Sequence, residues 1–268
     1  DGVHTRVETH GFAAATFVHR TSRAGDPQLH THCVVPNVVC RADGSYASVD
    51  GAVLYTWAKA AGSVYQEQLR RILTAELGVE WGPDRNGCRE MVGFTAGQLG
   101  TFSKRTSQID AYLEQSGGVY ATAVERMRAD HLASLATRAD KDPTLSPERL
   151  RGRWADEAAG VGLDGPATIQ AAVLRRFRHQ PAVTPEAVVV ALTDPDDGLC
   201  ANDSRFGEAH VVERVAALGA GRLTVAEIRR LTAEFLVSEH VVRLSVDPAD
   251  AVRTPPQYTT AAHLTLER

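Results

Sequence analysis

Two short apolar runs near the beginning of the chain restrict its fold more than any other feature. They cover residues 11–19 (GFAAATFVH) and 29–40 (LHTHCVVPNVVC), they are rich in Val, Thr and Phe, and a polar loop joins them. β-Branched and aromatic residues bounded by Gly, Pro, Asp and Ser are typical of strands. The pattern therefore predicts an antiparallel β-hairpin with a long connection.

This predicted hairpin carries three histidines. One residue separates His30 from His32, so a strand points both imidazoles to the same face. His19 ends the first run, from where it can reach them across the hairpin. Three neutral imidazoles on a rigid sheet form half of an octahedral metal shell and leave positions open for water or substrate. A histidine pair at this spacing is also common without a metal, so spacing alone leaves a structural role open.

Most of the remaining chain has helical signals. Apolar residues recur at helical spacing between residues 52 and 77, and Gly78 ends the pattern. A second hairpin is expected around the turn at residues 83–87. Thr95 is the expected cap of a further helix, which runs to Gly117.

The sequence pattern of the last part of the chain predicts a second module. Helices are expected to begin at Thr184, near Phe206 and at Thr224, and a strand follows at residues 240–246. This order of elements is typical of a winged-helix unit. The proline-rich residues 247–257 are expected to be a linker or the wing loop.

These elements predict an α+β fold with two unequal domains. We expect an antiparallel sheet with covering helices in residues 1–165, and the smaller, helical or winged-helix-like module in residues 166–268. The boundary is expected at Gly165 and Pro166.

Composition excludes several functional classes. The net charge of −4 lacks the strongly basic balance of a dedicated duplex-DNA binder, so any nucleic-acid surface must be local. No stretch approaches the roughly 20 apolar residues of a membrane span, and no export signal opens the chain, which predicts a cytoplasmic protein. The four scattered cysteines predict reduced thiols, and the absence of a glycine-rich phosphate loop predicts that ATP does not bind.

Residues 17–37 (FVHRTSRAGDPQLHTHCVVPN) resemble conjugative relaxases of the TrwC/TraI kind, which are HUH endonucleases of the MobF group. The resemblance covers the three histidines, the Ser-Arg pair, the Asp-Pro turn and the Asn. It continues through residues 64–69 and 102–109, and on to residues 150–154 and 258–260, where the family passes from relaxase to helicase. The resemblance spans nearly the whole chain and is most specific before residue 110. The resemblance implies an HUH relaxase fold for the predicted sheet.

In that family the matching histidines hold a divalent metal ion. The resemblance therefore implies that His19, His30 and His32 are metal ligands, with Mg²⁺ or Mn²⁺ as the first expectation and Zn²⁺ or Ni²⁺ as alternatives. The implied reaction is phosphoryl transfer on single-stranded DNA at a plasmid transfer origin. The ion polarises the scissile phosphate while a tyrosine hydroxyl attacks it, and the strand stays joined to the protein.

The nucleophilic tyrosines of the family lie upstream of the histidine motif, and this chain departs from that pattern. Nothing in residues 1–18 matches them, and none of the six tyrosines elsewhere matches a nucleophile position. The chain, which opens at Asp1, is therefore expected to be a fragment that does not nick DNA alone. Its expected partners are single-stranded DNA, an N-terminal relaxase segment and a helicase region.

Other polar residues are weaker candidates for the site. Asp26 could orient a ligand histidine from the outer coordination sphere, or could simply form the turn before Pro27. Four basic residues could hold phosphates of single-stranded DNA or could be ordinary solvated charges, namely Arg20, Arg23, Lys104 and Arg105.

Two other functions stay open at this point. The chain could be a non-catalytic DNA-binding or assembly module from a split or decayed relaxase gene, and an intact tyrosine-bearing reading frame just upstream would argue against that. It could also be a hydrolase that activates water on a histidine-bound metal. Such a hydrolase needs a general base, for which only Asp26 is close to the histidines in sequence.

Overall fold

The computed structural model describes residues 7–84, 88–120, 122–138, 146–175, 181–245 and 255–266. Helices accompany small antiparallel sheets, which confirms the predicted α+β class. Among the described helices, none combines the length and the apolar character that a membrane crossing requires.

The elements are numbered in chain order. The strands are β1 (Ala15–Thr21), β2 (Pro27–Val34), β3 (Val39–Cys40), β4 (Tyr46–Ala47), β5 (Phe206–Gly207), β6 (Val241–Arg243) and β7 (Gln257–Thr260). The helices are α1 (Gly51–Leu77), α2 (Ala96–Thr101), α3 (Lys104–Gln115), α4 (Ala123–Ala136), α5 (Pro147–Gly160), α6 (Gly165–Arg175), α7 (Pro185–Leu192), α8 (Glu208–Gly219), α9 (Val225–Leu236) and α10 (Ala261–Leu266). β1 pairs with β2, β3 pairs with β4, and a third sheet has the order β5–β7–β6.

Contacts divide the chain into two compact units. Unit 1 contains Asp1–Gly11, Asn37–Val92 and Ile169–Arg268, and unit 2 contains Phe12–Pro36 and Gly93–Thr168. One junction between the units therefore lies close to the predicted boundary at Gly165, while unit 1 also includes α1. The division into domains at residues 1–165 and 166–268 stays a prediction.

Unit 2 contains the predicted first hairpin, formed by β1 and β2. Its register pairs His19 with His30 and Phe17 with His32, and the register shifts between His19 and Thr21. Helix α2 packs against α3 and α5, and α3 packs against α4. The hairpin and these helices are the scaffold of the histidine site.

The helix predicted from Thr95 to Gly117 is in fact two helices, α2 and α3, which are separated at Phe102 and Ser103. Thr95 does form the predicted cap, as part of a capping box. Helix α2 contains two glycines, which have low helix propensity, and it ends after 6 residues. The break allows the N-terminus of α3 to meet the loop between β1 and β2.

Unit 1 contains the predicted winged-helix-like module. Helix α7, strand β5, helices α8 and α9, and strands β6 and β7 follow one another in the order typical of that fold. Its core is a cluster of buried apolar side chains that includes Val188, Leu192, Phe206, Val211, Val215, Ile228, Leu231 and Phe235. Most of the predicted wing loop at residues 247–257 lies outside the described residues.

Helix α1 confirms the helix predicted for residues 52–77. The Asp50 side chain accepts a hydrogen bond from the Ala52 backbone N–H, and Gly78 ends the helix with a φ of 67°. Helix α1 packs against α8. The second predicted hairpin follows it, with Trp81 paired to Met91, while residues 85–87 of its turn lie outside the described residues.

A buried glutamate on α1 holds the turn between α8 and α9. The Glu67 carboxylate, with 0% of the residue exposed, accepts from the backbone N–H groups of Gly221, Arg222 and Leu223 at 2.7, 2.9 and 2.8 Å. Burial raises the pKa of Glu67, and the three N–H donors oppose that shift. The turn of the winged-helix module is therefore fixed by a side chain far away in sequence.

Removal of the Glu67 carboxylate should destabilise unit 1. We expect Glu67→Ala to lower the free energy of unfolding by about 3 kcal/mol, because it leaves buried N–H groups without acceptors. Glu67→Gln keeps one carbonyl oxygen and should cost less. Urea unfolding followed by circular dichroism measures both changes.

The matched control for this prediction is Glu76→Ala, which removes an exposed carboxylate from the same helix. Its urea midpoint should equal that of the wild type. An unchanged midpoint in Glu67→Ala would show that the contact with the α8–α9 turn contributes little to stability.

Candidate metal centre

The structure brings the three histidines of the hairpin together. Because His19 lies directly opposite His30, and His32 is two residues further along β2, all three side chains share one face of the hairpin. The ring centroids are 5.4 Å apart for His19 and His30, 4.4 Å for His19 and His32, and 4.9 Å for His30 and His32. One ring nitrogen from each residue lies within 4.8 Å of the others. The arrangement agrees with the predicted cradle, and its role in metal binding stays a prediction.

A backbone carbonyl orients one of these rings. The Nδ1 atom of His30 lies 3.0 Å from the carbonyl oxygen of Gln28. A carbonyl only accepts, so Nδ1 carries the proton and donates, and Nε2 keeps the lone pair that a metal requires. Metal-ligating histidines commonly donate their second nitrogen in this way. Sequence reasoning could not find this partner, because any residue at position 28 supplies the same carbonyl.

Asp26 is buried at the end of the loop between β1 and β2, with 3% of the residue exposed. Its carboxylate accepts from the Ser22 hydroxyl at 2.8 Å, from the Arg105 backbone N–H at 3.2 Å and from Lys104 Nζ at 3.3 Å. These partners belong to the loop and to α3. The predicted contact between Asp26 and a ligand histidine stays a prediction.

Helix α5 holds the same loop from another direction. The Gly25 carbonyl accepts from Arg153 Nη2 at 2.7 Å and from Trp154 Nε1 at 2.8 Å. Gly25 has a φ of +77°, and a Cβ atom there would lie 2.3 Å from Arg153 Nη2. The backbone conformation therefore favours glycine at this position, and the absence of a Cβ atom leaves room for the close approach of the arginine.

The predicted phosphate contacts fall into two groups. Arg20 and Arg23 line an open cleft of about 700 Å³ that the three histidines also line. Lys104 and Arg105 are engaged by the protein instead. Lys104 Nζ lies 2.7 Å from a carboxylate oxygen of Glu157, and Arg105 Nη1 donates to the Thr137 carbonyl at 2.9 Å.

Sequence reasoning missed two basic residues in this cleft. Arg138, which follows α4, and Arg153, which lies on α5, line it together with the histidines. Neighbouring acidic residues balance the charge around Arg153, a pattern that is typical of a solvated helical surface. Only the packing of unit 2 brings these guanidinium groups to the histidine site, so no local pattern could have indicated them.

Comparison with known protein families identifies the family of this chain. The family model of the TrwC relaxase matches residues 1–161, which is more than half of the chain. The chain belongs to the TrwC relaxase family.

Relatives and solved structures agree with this assignment. The multifunctional conjugation protein TraI of Escherichia coli is 27% identical over 279 residues, a match that covers 98% of this chain and 15% of TraI. TraI of the K12 strain is also 27% identical, over 280 residues. The metal-free conjugative relaxase TrwC in complex with oriT DNA is 29% identical with a TM-score of 0.52, over 57% of this chain and 53% of TrwC. The metal-bound TrwC complex matches equally, with a TM-score of 0.52 over 57% of this chain and 52% of that one. The chain thus spans about 15% of the curated relatives it matches and about half of the solved TrwC chains.

Substitution of the histidines should weaken metal binding. We expect this chain to bind one Mn²⁺ or Ni²⁺ ion, and His30→Ala or His32→Ala to weaken binding by more than about tenfold. Loss of a ligand should cost at least as much as loss of a ligand's hydrogen-bond partner, which is roughly 10–100-fold. Isothermal titration calorimetry measures the affinity and the stoichiometry.

His131→Ala is the matched control, because His131 is an exposed histidine of α4 in the same unit. Its affinity should equal that of the wild type. Equal affinity in all four proteins would place the bound ion away from the hairpin, and no binding by the folded wild type would contradict the metal-ligand assignment.

Proposed function

We propose that this chain is the part of a conjugative relaxase that holds a divalent metal ion and a phosphate of single-stranded DNA for nicking and strand transfer at a plasmid transfer origin. One observation carries the proposal. The ring nitrogens of His19, His30 and His32 converge at a cleft that four arginines line, in a chain of the TrwC relaxase family. We place this reaction in the cytoplasm, where plasmid DNA lies.

The donor set of the hairpin fits a divalent metal ion. Solved TrwC complexes include metal-bound and copper-bound forms, and three imidazole nitrogens suit borderline ions such as Ni²⁺, Cu²⁺ and Zn²⁺ better than Mg²⁺. Such an ion, when bound, polarises a phosphate oxygen and stabilises developing negative charge. The chain contributes the orientation of the ligands, since the Gln28 carbonyl fixes the tautomer of His30.

The arginines of the cleft supply the phosphate contacts. Guanidinium groups donate paired hydrogen bonds to phosphate oxygens and keep their charge at every relevant pH. Arg20 and Arg23 come from the hairpin, whereas Arg138 and Arg153 come from the helical side of the cleft. These four are the first candidates for DNA contact, because the predicted contacts Lys104 and Arg105 already have acceptors within the protein.

The nucleophile comes from outside the described cleft. Among the described residues that line the cleft, none is a tyrosine. In the proposed step a tyrosine of an N-terminal relaxase segment forms a bond from its hydroxyl oxygen to phosphorus. One phosphodiester bond breaks, and the leaving oxygen gains a proton as the hydroxyl loses one.

Exposed apolar side chains of the hairpin support the proposal that the N-terminal relaxase segment packs against it. Phe17 and Val34 share the histidine face, Val18 and Leu29 lie on the opposite face, and each is at least half exposed. Exposed apolar side chains on both faces of a two-stranded sheet favour further strands or helices against them. We assign an N-terminal relaxase segment to this surface, and we propose a helicase region as a further partner of the chain.

DNA binding provides the direct test. With Mn²⁺ present, this chain should bind a fluorescein-labelled single-stranded oligonucleotide, and the double variant Arg20→Ala/Arg23→Ala should bind about tenfold more weakly. The plot of log affinity against log salt should lose about 1.4 of its slope, since each phosphate contact on a single strand contributes about 0.7. Fluorescence anisotropy at several salt concentrations measures both quantities.

Arg151→Ala is the control for this experiment. Arg151 lies on α5 like Arg153, but it pairs with Glu148 at 2.9 Å and does not line the cleft. Its affinity should not change. Equal affinities in the double variant and the wild type would show that Arg20 and Arg23 do not contact the DNA.

A denaturing gel separates the relaxase role from the alternative, a non-catalytic DNA-binding module. The cleft without a tyrosine is the observation that favours this alternative. The chain alone should give no covalent adduct with the oligonucleotide. A covalent adduct would show that a residue of this chain is the nucleophile. DNA binding that is unaffected by removal of Mn²⁺ and by the histidine substitutions would favour the non-catalytic module.

A further inference from the structure

The register of the β1–β2 hairpin decides whether the histidines meet. His19 faces His30 only in the observed pairing, and a slip by one residue would turn His30 and His32 to the face opposite His19. Hydrophobic burial does not specify this register. Most residues of β1 and β2 are exposed, on both faces of the hairpin, and registers of such strands are weakly specified.

Unlike the pairing of the two strands, the conformation of the loop between them is fixed by specific hydrogen bonds. The Ser22 N–H donates to the Asp26 carbonyl at 3.0 Å, the Asp26 N–H donates to the Ser22 hydroxyl at 3.1 Å, and the Gly25 N–H donates to the Ser22 carbonyl at 3.1 Å. The Ser22 hydroxyl then donates to the Asp26 carboxylate at 2.8 Å. Ser22 and Asp26 thus close the loop on itself.

The same carboxylate fastens this closed loop to α3. It accepts from the Arg105 backbone N–H at the first turn of the helix and from Lys104 Nζ, which also binds Glu157 of α5. The Arg105 side chain in turn donates to carbonyls of Ser134 and Thr137 at the end of α4. The anchor point of the loop is therefore held by three helices.

We propose that Asp26 is a positioning residue that sets the register of the histidine hairpin by locking its loop to the N-terminus of α3. It acts on the site through His19 and His30 rather than by touching a bound ion or DNA. This role differs from the predicted contact with a ligand histidine, and from a simple turn before Pro27, because both oxygens of the carboxylate are used by partners that fix the loop. Its consequence for metal affinity rests on the function proposed above.

Nuclear magnetic resonance of the metal-free 268-residue chain tests the register itself. The wild type should show cross-strand Overhauser contacts between His19 and His30 and between Phe17 and His32. In Asp26→Ala these contacts should weaken or disappear, and the affinity for Ni²⁺ measured by calorimetry should fall about 10–100-fold, as for other residues that orient ligands from outside the coordination sphere. Asp26→Asn keeps an acceptor oxygen for the Ser22 and Arg105 donors and should restore the contacts and most of the affinity.

Asp43→Ala is the matched control. Asp43 also closes a hairpin turn by accepting a backbone N–H, that of Ser45 at 2.9 Å, but its turn joins β3 and β4 in unit 1. Its cross-strand contacts at the histidines and its Ni²⁺ affinity should equal those of the wild type. An effect as large as that of Asp26→Ala would make the role of Asp26 one of general stability.

Unchanged cross-strand contacts in a folded Asp26→Ala variant would overturn the proposal. If that variant does not fold, the double variant Lys104→Met/Arg105→Pro replaces it. It removes both α3 donors to the Asp26 carboxylate, and proline is tolerated in the first turn of a helix. Wild-type contacts and affinity in this double variant would then overturn the proposal. If the wild type binds no Ni²⁺, the metal assignment fails, and the contacts in the metal-free variants still decide the role of Asp26.

Discussion

The pairing register of β1 and β2 is the constraint on which the functional site depends. Three imidazoles converge only because His19 lies opposite His30 and two positions of β2 share a face. The hairpin has little burial to enforce that pairing. Among the described residues, the fixed contacts that hold the hairpin are those of its loop, where Ser22, Gly25 and Asp26 bond to each other, to α3 and to α5.

Both compact units use the same physical device, a buried carboxylate that accepts hydrogen bonds, at least one of them from a backbone N–H of a distant segment. Asp26 in unit 2 holds the first turn of α3, and Glu67 in unit 1 holds the turn between α8 and α9. Ionised carboxylates are costly to bury without partners, and several N–H donors offset that cost. Each contact joins segments that are far apart in sequence, so each carboxylate specifies a tertiary arrangement as well as a local one.

The charge of residues 181–245 is consistent with the proposed placement of the DNA surface in unit 2. In residues 181–245 acidic side chains outnumber arginines and there is no lysine. In DNA-binding helix-turn-helix folds the second helix reads the major groove, yet on α9 Arg230 is paired with Glu234 at 2.8 Å. The arginines that share a cleft with the histidines lie in unit 2. Phosphate attraction therefore favours the cleft over the winged-helix module.

The sequence by itself determined the features that depend on near neighbours. The strand spacing of His30 and His32, the caps at Thr95 and Thr224 and the periodicity of α1 are local patterns, and the structure contains all of them. Only the tertiary structure decided what those elements meet: Arg138 and Arg153 at the cleft, the donors around Asp26, the Gln28 carbonyl at His30, and the turn under Glu67. The physical reason is that a periodicity or a cap reports the conformation of a few consecutive residues, whereas a buried carboxylate or a cleft arginine finds its partners through the packing of distant segments.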